Sequence, residues 1–181
     1  MESDKEKIDY YQKQLSSQVI EERVTELGEK LSRDFKDKKL AVIGVLNGAF
    51  IFMADLVRRI TVPVELDFVR VSSYGNQSFS RGQVSFRKGV ELSLENKHII
   101  LVEDIVDTGR TLCCLKNYFQ KMPVVSVKTC VLIDKKERRE VPLDVDYAGF
   151  RLEKGFLVGY GLDLAEKYRN YPDIYNLDKP V

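Results

Sequence analysis

The sequence predicts an α/β fold: a mostly parallel, doubly wound sheet flanked by helices. Residues 39–46 (KLAVIGVL), 99–102 (IILV) and 124–133 (VVSVKTCVLI) are apolar runs with little polar alternation, as expected of strands buried on both faces of a parallel sheet. Stretches with helical spacing of apolar residues separate these runs. The resulting strand, helix, strand, helix order calls for crossover connections between parallel strands.

Taken in order, Ile20, Val24, Leu27, Leu31 and Phe35 recur at three- and four-residue steps. They predict an amphipathic helix over residues 18–35 that covers one face of the sheet, with Ser17 as its cap. The strand 39–46 leads through a glycine turn into a helix over 49–60, and Pro63 opens the strand VELDFVRV. Residues 72–82 (SSYGNQSFSRG) are polar and hydroxyl-rich, and partial alternation resumes over 83–90. That pattern predicts an extended hairpin arm bearing a mobile loop, returning toward Leu94. A helix over 112–120 is stopped by Met122 and Pro123, the strand 124–133 follows, and 147–152 and 156–160 read as short closing strands.

The 181 residues, 44% hydrophobic and 31% charged, suit one domain with a substantial core. A net charge of +1 and a pI near 7.6 give no global reason to expect a nucleic-acid or membrane partner. The charged amino terminus lacks the apolar centre of a secretory signal, and no stretch has transmembrane length, so a cytoplasmic protein is expected. Cys113, Cys114 and Cys130 lack metal-ligand spacing and read as packing thiols. His98, the single histidine, precedes a buried strand and receives no chemical role.

The segment HIILVEDIVDTGRTL carries the most chemistry. Glu103 and Asp104 follow the apolar run, at the carboxyl end of its strand, where open α/β sheets bind ligands. Both carboxylates can converge there on one vicinal diol. The turn Asp107, Thr108, Gly109, Arg110, Thr111 then opens a helix, whose amino-terminal amides and dipole attract phosphate. Gly109 allows close main-chain approach. Together these features describe a place to hold a sugar phosphate.

LVEDIVDTGRT resembles the phosphoribosyl pyrophosphate motif of type I phosphoribosyltransferases. LNGAF (46–50), SSYGNQS (72–78), LIDKKERR (132–139) and FLVGYGLDLAEKYRN (156–170) narrow the resemblance to the hypoxanthine-guanine branch. It implies the type I fold as a single domain, with a core near 36–145 and a small hood from 1–17 and 146–181. The implied reaction transfers a 5-phosphoribosyl group from phosphoribosyl pyrophosphate to hypoxanthine or guanine, giving IMP or GMP and pyrophosphate.

The resemblance also implies roles. Glu103 and Asp104 would anchor the ribose hydroxyls, and Asp107 to Thr111 the 5′-phosphate. Mg²⁺ would be served by Glu103, Asp104 and Asp163. Asp107 would take the proton from purine N7, while Ser73 and Tyr74 would sit on a loop that closes over the centre. Lys135 would face the purine 6-oxygen, Phe156 would stack on the ring, Leu157 would lend backbone groups, and Asp163 would lie near the guanine 2-amino group. Arg169 and the loop Leu46, Asn47, Gly48 would meet pyrophosphate, through a peptide that in this family can be cis. Many relatives carry Lys or Arg where this chain has Asn47, so contact there falls to backbone amides or a neighbouring subunit. A homodimer or homotetramer is implied.

Taken as isolated residues, Phe156 equally fits plain core, Lys135 and Arg169 fit surface charges, and Asp67 and Asp134 fit either structural or site-supporting roles. A regulator on the same fold, binding nucleotides and RNA or DNA, is the rival reading. A dinucleotide-binding oxidoreductase lacks its GxGxxG after the first strand.

Overall fold

Alternate residues of each buried strand feed two separate cores in the computed structural model, which describes residues 11–71 and 86–180. Strand β2 (Leu40–Val45), β5 (His98–Val106) and β6 (Ser126–Lys135) lie at the centre of the sheet. Val42, Ile100, Val102 and Leu132 face helices α1 (Ser17–Asp34) and α2 (Phe50–Val57), packing on Ile20, Val24, Leu31, Phe52 and Leu56. Ala41, Ile43, Ile99, Leu101 and Val131 face the other way, onto Leu112, Leu115 and Phe119 of α3 (Arg110–Gln120). Because both faces are covered, these strands show no polar alternation.

The remaining strands of this sheet are β3 (Val64–Val71), β4 (Phe86–Lys88) and β7 (Tyr147–Leu152), in the order β4-β3-β2-β5-β6-β7. All pairs are parallel except β3 with β4. The chain ends form a second, antiparallel sheet of β1 (Tyr11–Leu15), β9 (Ile174–Pro180) and β8 (Leu157–Val158). This is the hood, and β7, expected within it, instead pairs with β6 in the main sheet.

Several boundaries move for local reasons. Ser16, not Ser17, caps α1, its hydroxyl accepting from the Val19 amide at 3.4 Å, while the Ser17 amide donates to Asp173 at 2.7 Å. Helix α2 stops at Val57, and the Arg59 and Ile60 amides close three-residue turns onto Leu56 and Val57. Strand β8 is short because Gly159, Tyr160 and Gly161 all adopt positive φ (99°, 49° and 100°). Helix α3 begins at Arg110, two residues before the expected start.

Asp67, open in role from sequence, fastens the base of the hairpin arm. Its carboxylate takes the Lys88 ammonium at 2.8 Å and the amides of Phe68, Glu91 and Leu92 at 2.7, 2.6 and 3.2 Å. Burial alone would raise its pKa, but these donors overcome that and hold it at about 2. The arm's tip, with Ser73 and Tyr74, lies outside the described residues.

A carboxyl group with a depressed folded-state pKa adds stability that is present above the unfolded value and lost as pH falls through the folded one. Asp67→Asn should therefore lower the thermal midpoint near neutral pH by roughly 5 °C, from about 2 kcal/mol lost. The gap should close between about pH 4 and pH 2. Scanning calorimetry across that range checks it, and an equal gap at both ends would exclude the clamp.

Candidate active site

The crevice exists because β5 is longer than its neighbour. Pairing of β5 with β2 ends at Gly44 opposite Val102, whereas pairing with β6 continues to Val106 opposite Asp134. Glu103 and Asp104 thus lie within the strand, not beyond it as the sequence suggested, but on a stretch one neighbour has left. It is also the switch point of the sheet, since β2 leads outward through α2 to β3, and β5 in the opposite direction through α3 to β6.

A cavity of about 400 Å³ opens there. It is lined by Leu46, Asn47 and Gly48 after β2, by Glu103 to Gly109 with Thr111, and by Asp163, Glu166 and Arg169 from the carboxyl-terminal segment. Arg70 and Arg87, from the base of the arm, complete it. The Leu46–Asn47 peptide is cis. A Cβ at Gly48 would sit 1.9 Å from Asp104 Oδ2, and one at Gly161 would sit 2.3 Å from the Gly48 carbonyl. The 46–48 loop is therefore held between the acids and the hood with no room for side chains at either glycine.

Glu103 and Asp104 both line the cavity. Burial pushes both upward in pKa, and the charge of Asp104 pushes Glu103 further; for Asp104, its hydrogen bonds and the nearby Arg169 oppose the rise. Below them, Gly109 (φ 81°) begins α3 with no side-chain cap, so the first helical amides keep the donor character that binds anions. The Thr108 hydroxyl accepts from the Arg110 amide at 3.4 Å.

Asp107 is the pivot. Its Oδ1 is buried without a hydrogen-bond partner and lies 3.5 Å from Lys135 Nζ, while Oδ2 lies 3.4 Å from Arg138. Lys135, itself buried, donates to the Gly155 carbonyl at 3.1 Å.

Comparison with known proteins decides what this arrangement is. A family model described as phosphoribosyl transferase domain matches residues 12–165. The chain belongs to the phosphoribosyltransferase family. A hypoxanthine-guanine phosphoribosyltransferase of Bacillus subtilis is 42% identical over 160 residues, covering 88% of this chain and 89% of the relative. A hypoxanthine phosphoribosyltransferase structure from Staphylococcus aureus superposes with a TM-score of 0.89 at 36% identity, covering 97% of this chain and 96% of that one. The Listeria innocua bifunctional protein TilS/HprT is also 42% identical over 88% of this chain, but the match spans only 25% of that longer protein.

Within this phosphoribosyltransferase the expected residues are not all gathered in one place. Lys135, Phe156 and Leu157 lie outside the lining of the cavity, and Lys135 meets it through its contact with Asp107. Phe156 is 44% exposed, which excludes plain core, whereas Leu157 is buried and paired with Asn176. Arg110 does not line the cavity, and its guanidinium pairs with Glu140. Arg169 is no loose surface charge: it holds Asp163 at 2.8 Å, Glu166 at 2.9 Å and the Gly161 carbonyl at 2.7 Å.

Among the described residues no cluster of three or more His, Cys, Asp or Glu side chains forms a ready metal site. Asp163, expected with Glu103 and Asp104, is engaged by Arg169 and by the Glu166 amide at 2.9 Å. Sequence reasoning missed Arg70, Arg87 and Glu166, whose types alone say nothing of a cleft.

Carboxyl groups whose folded pKa is raised bind extra protons in the native state, so they cost stability increasingly as pH rises above the unfolded value. Glu103→Gln should raise the thermal midpoint by roughly 2–4 °C at about pH 8 per kcal/mol relieved, with no gain near pH 4. Melting curves of both proteins at the two pH values test this; a gain independent of pH would show that the ionised carboxylate is not its source.

Proposed function

We propose that this chain is a purine salvage enzyme of the cytoplasm. It transfers the 5-phosphoribosyl group from phosphoribosyl pyrophosphate to N9 of hypoxanthine or guanine, giving IMP or GMP and pyrophosphate. The observation that carries this reading is Asp107 Oδ1, a buried acceptor without a donor, 3.5 Å from the Lys135 ammonium and on the rim of an acid-lined cleft. A purine lying there offers N7–H to the carboxylate and takes the ammonium on its 6-oxygen. An amino group in that place would set donor against donor, which disfavours adenine. The names of the relatives agree with this substrate class.

The remaining residues supply what displacement at an anomeric carbon requires. Glu103 and Asp104 accept from the ribose hydroxyls and fix the ring. The α3 amino terminus, with Thr108 and Thr111, receives the 5′-phosphate. Arg169 and the Asn47 and Gly48 amides face the departing pyrophosphate, and Phe156 stacks on the base. Hard carboxylate oxygens at Glu103 and Asp104 fit Mg²⁺, which is held by few protein ligands alongside waters and substrate oxygens. When bound, it neutralises charge on the leaving group. Asp163 lines the cavity with these acids, which supports a place on the metal and pyrophosphate side over the guanine 2-amino group. The loop of Ser73 and Tyr74 is assigned to exclude water, and assembly as a homodimer or homotetramer completes the proposal. The regulator reading gains no support from relatives that are named as transferases.

Initial rates with hypoxanthine, guanine, xanthine and adenine, at saturating sugar donor and magnesium, test the assignment. Asp107→Asn should lower kcat with hypoxanthine by about 100- to 10,000-fold with little change in KM. Near-normal turnover would remove the general base, and tight, salt-sensitive RNA binding with no nucleotide formed would overturn the enzyme reading.

A further inference from the structure

The five donors of the Arg139 guanidinium reach both halves of the proposed site. Its Nε donates to the main-chain carbonyl of Asp107 at 3.1 Å, and Nη1 to that of Leu143 at 3.2 Å. Nη2 reaches the Val106 carbonyl at 3.4 Å, the Lys135 carbonyl at 3.1 Å and Asp134 Oδ1 at 2.6 Å. Asp134, buried and opposite Val106 in the β5–β6 ladder, therefore serves as the counter-ion that aims the fork.

The contacts fall on the end of β5, which carries Asp107, and on the end of β6, which carries Lys135. The same turn covers the phosphate loop, since the Glu140 and Val141 amides donate to the Thr108 carbonyl at 3.0 and 3.3 Å. A Cβ on Gly109 would lie 3.1 Å from Arg139 Cδ, so the arginine stem packs directly beneath the glycine that opens α3. Strand pairing ends at Val106 opposite Asp134. Beyond that pair, Arg139 ties the Asp107 main chain to that of Lys135.

We propose that Arg139 is a positioning residue of the transfer reaction, setting the separation of the Asp107 carboxylate from the Lys135 ammonium through their backbones. The inference rests on the transferase reading of the site. Arg139 touches no reacting atom. Its action is geometric: the general base and the ammonium stay in register only while one planar fork spans both strand ends. A lysine keeps the charge but radiates its donors from a single point and cannot reach these acceptors together.

Arg139→Lys tests this in the intact chain. Expected is a fall in kcat/KM for hypoxanthine of about 100-fold, the scale of an ångström-sized misplacement. KM for phosphoribosyl pyrophosphate should stay close to that of the parent, so that the loss falls on turnover of the base. Turnover of Arg139→Ala should be restored by added guanidinium and not by ammonium, with no change in the fraction folded. A folded Arg139→Lys variant with parental kcat and kcat/KM overturns the positioning role alone. So does a rate loss that follows only the unfolded fraction and resists guanidinium. A parent protein that forms no nucleotide overturns the transferase reading, and the role of Arg139 with it.

Discussion

Strand β5 runs past the end of β2, and the site follows from that mismatch. Up to Val102 the strand is hydrogen-bonded on both sides and buried by both cores; beyond it, only β6 remains as a partner. The one-sided stretch is stiff, because β6 still fixes its register, yet open, because the 46–48 loop has turned away. Acids placed two residues earlier would lie in a dry core, where charge is costly. Two residues later they would ride on the turn and lose the rigidity needed to hold a ring in a reactive pose. The surrounding glycines serve the same end: Gly48 and Gly161 let loop and hood close on Asp104 without side chains between them.

This placement sets stability against function. Burial of the two carboxyl groups in the crevice raises the pKa values of both Glu103 and Asp104, and the charge of Asp104 adds to the rise at Glu103. The central strands and two helical layers supply the excess that lets the fold tolerate it. Asp67 shows the opposite arrangement in the same sheet: a buried acid surrounded by donors is depressed and stabilising. Acids of one sheet thus do opposite work, according to whether the donors that reach them outweigh the cost of their burial.

What could be read from sequence follows from whether partners are local. The parallel sheet, α1 and the β5–α3 turn were legible because each is written as a periodicity or a short motif, and the apolar runs of β2, β5 and β6 state burial on both faces. Strand β1, YQKQL, carries no such pattern; it is a strand only because β9, far along the chain, pairs with it. The continuation of β5 through Glu103 and Asp104 was hidden because charged residues in a strand normally mark its end. Arg139 left no trace within LIDKKERR, where four cations look like one solvated run, since most of its partners are main-chain carbonyls, which any residue would provide. The side chain of Arg110 shows the same limit, since it turns to Glu140, a partner outside its motif.

The charge balance of the cleft bears on the missing cation at position 47. Among the described residues, five carboxylates, of Glu103, Asp104, Asp107, Asp163 and Glu166, line the cavity with three guanidiniums, of Arg70, Arg87 and Arg169, and Lys135 and Arg138 face Asp107 from outside the lining. Arg169 is already shared between Asp163 and Glu166, so its charge is largely compensated before any ligand arrives. A polyphosphate entering such a cleft meets like charge, and an uncharged Asn47 does nothing to offset it. Relief can come from a proton taken up by the Glu103–Asp104 pair, whose raised pKa values favour it, or from a divalent cation carried in on the sugar donor. Only the second leaves the acids free to accept from ribose hydroxyls. On the proposed function, a basic side chain at position 47 would therefore matter less than entry of the donor as its metal complex, and Mg²⁺ would serve binding as much as departure of the leaving group.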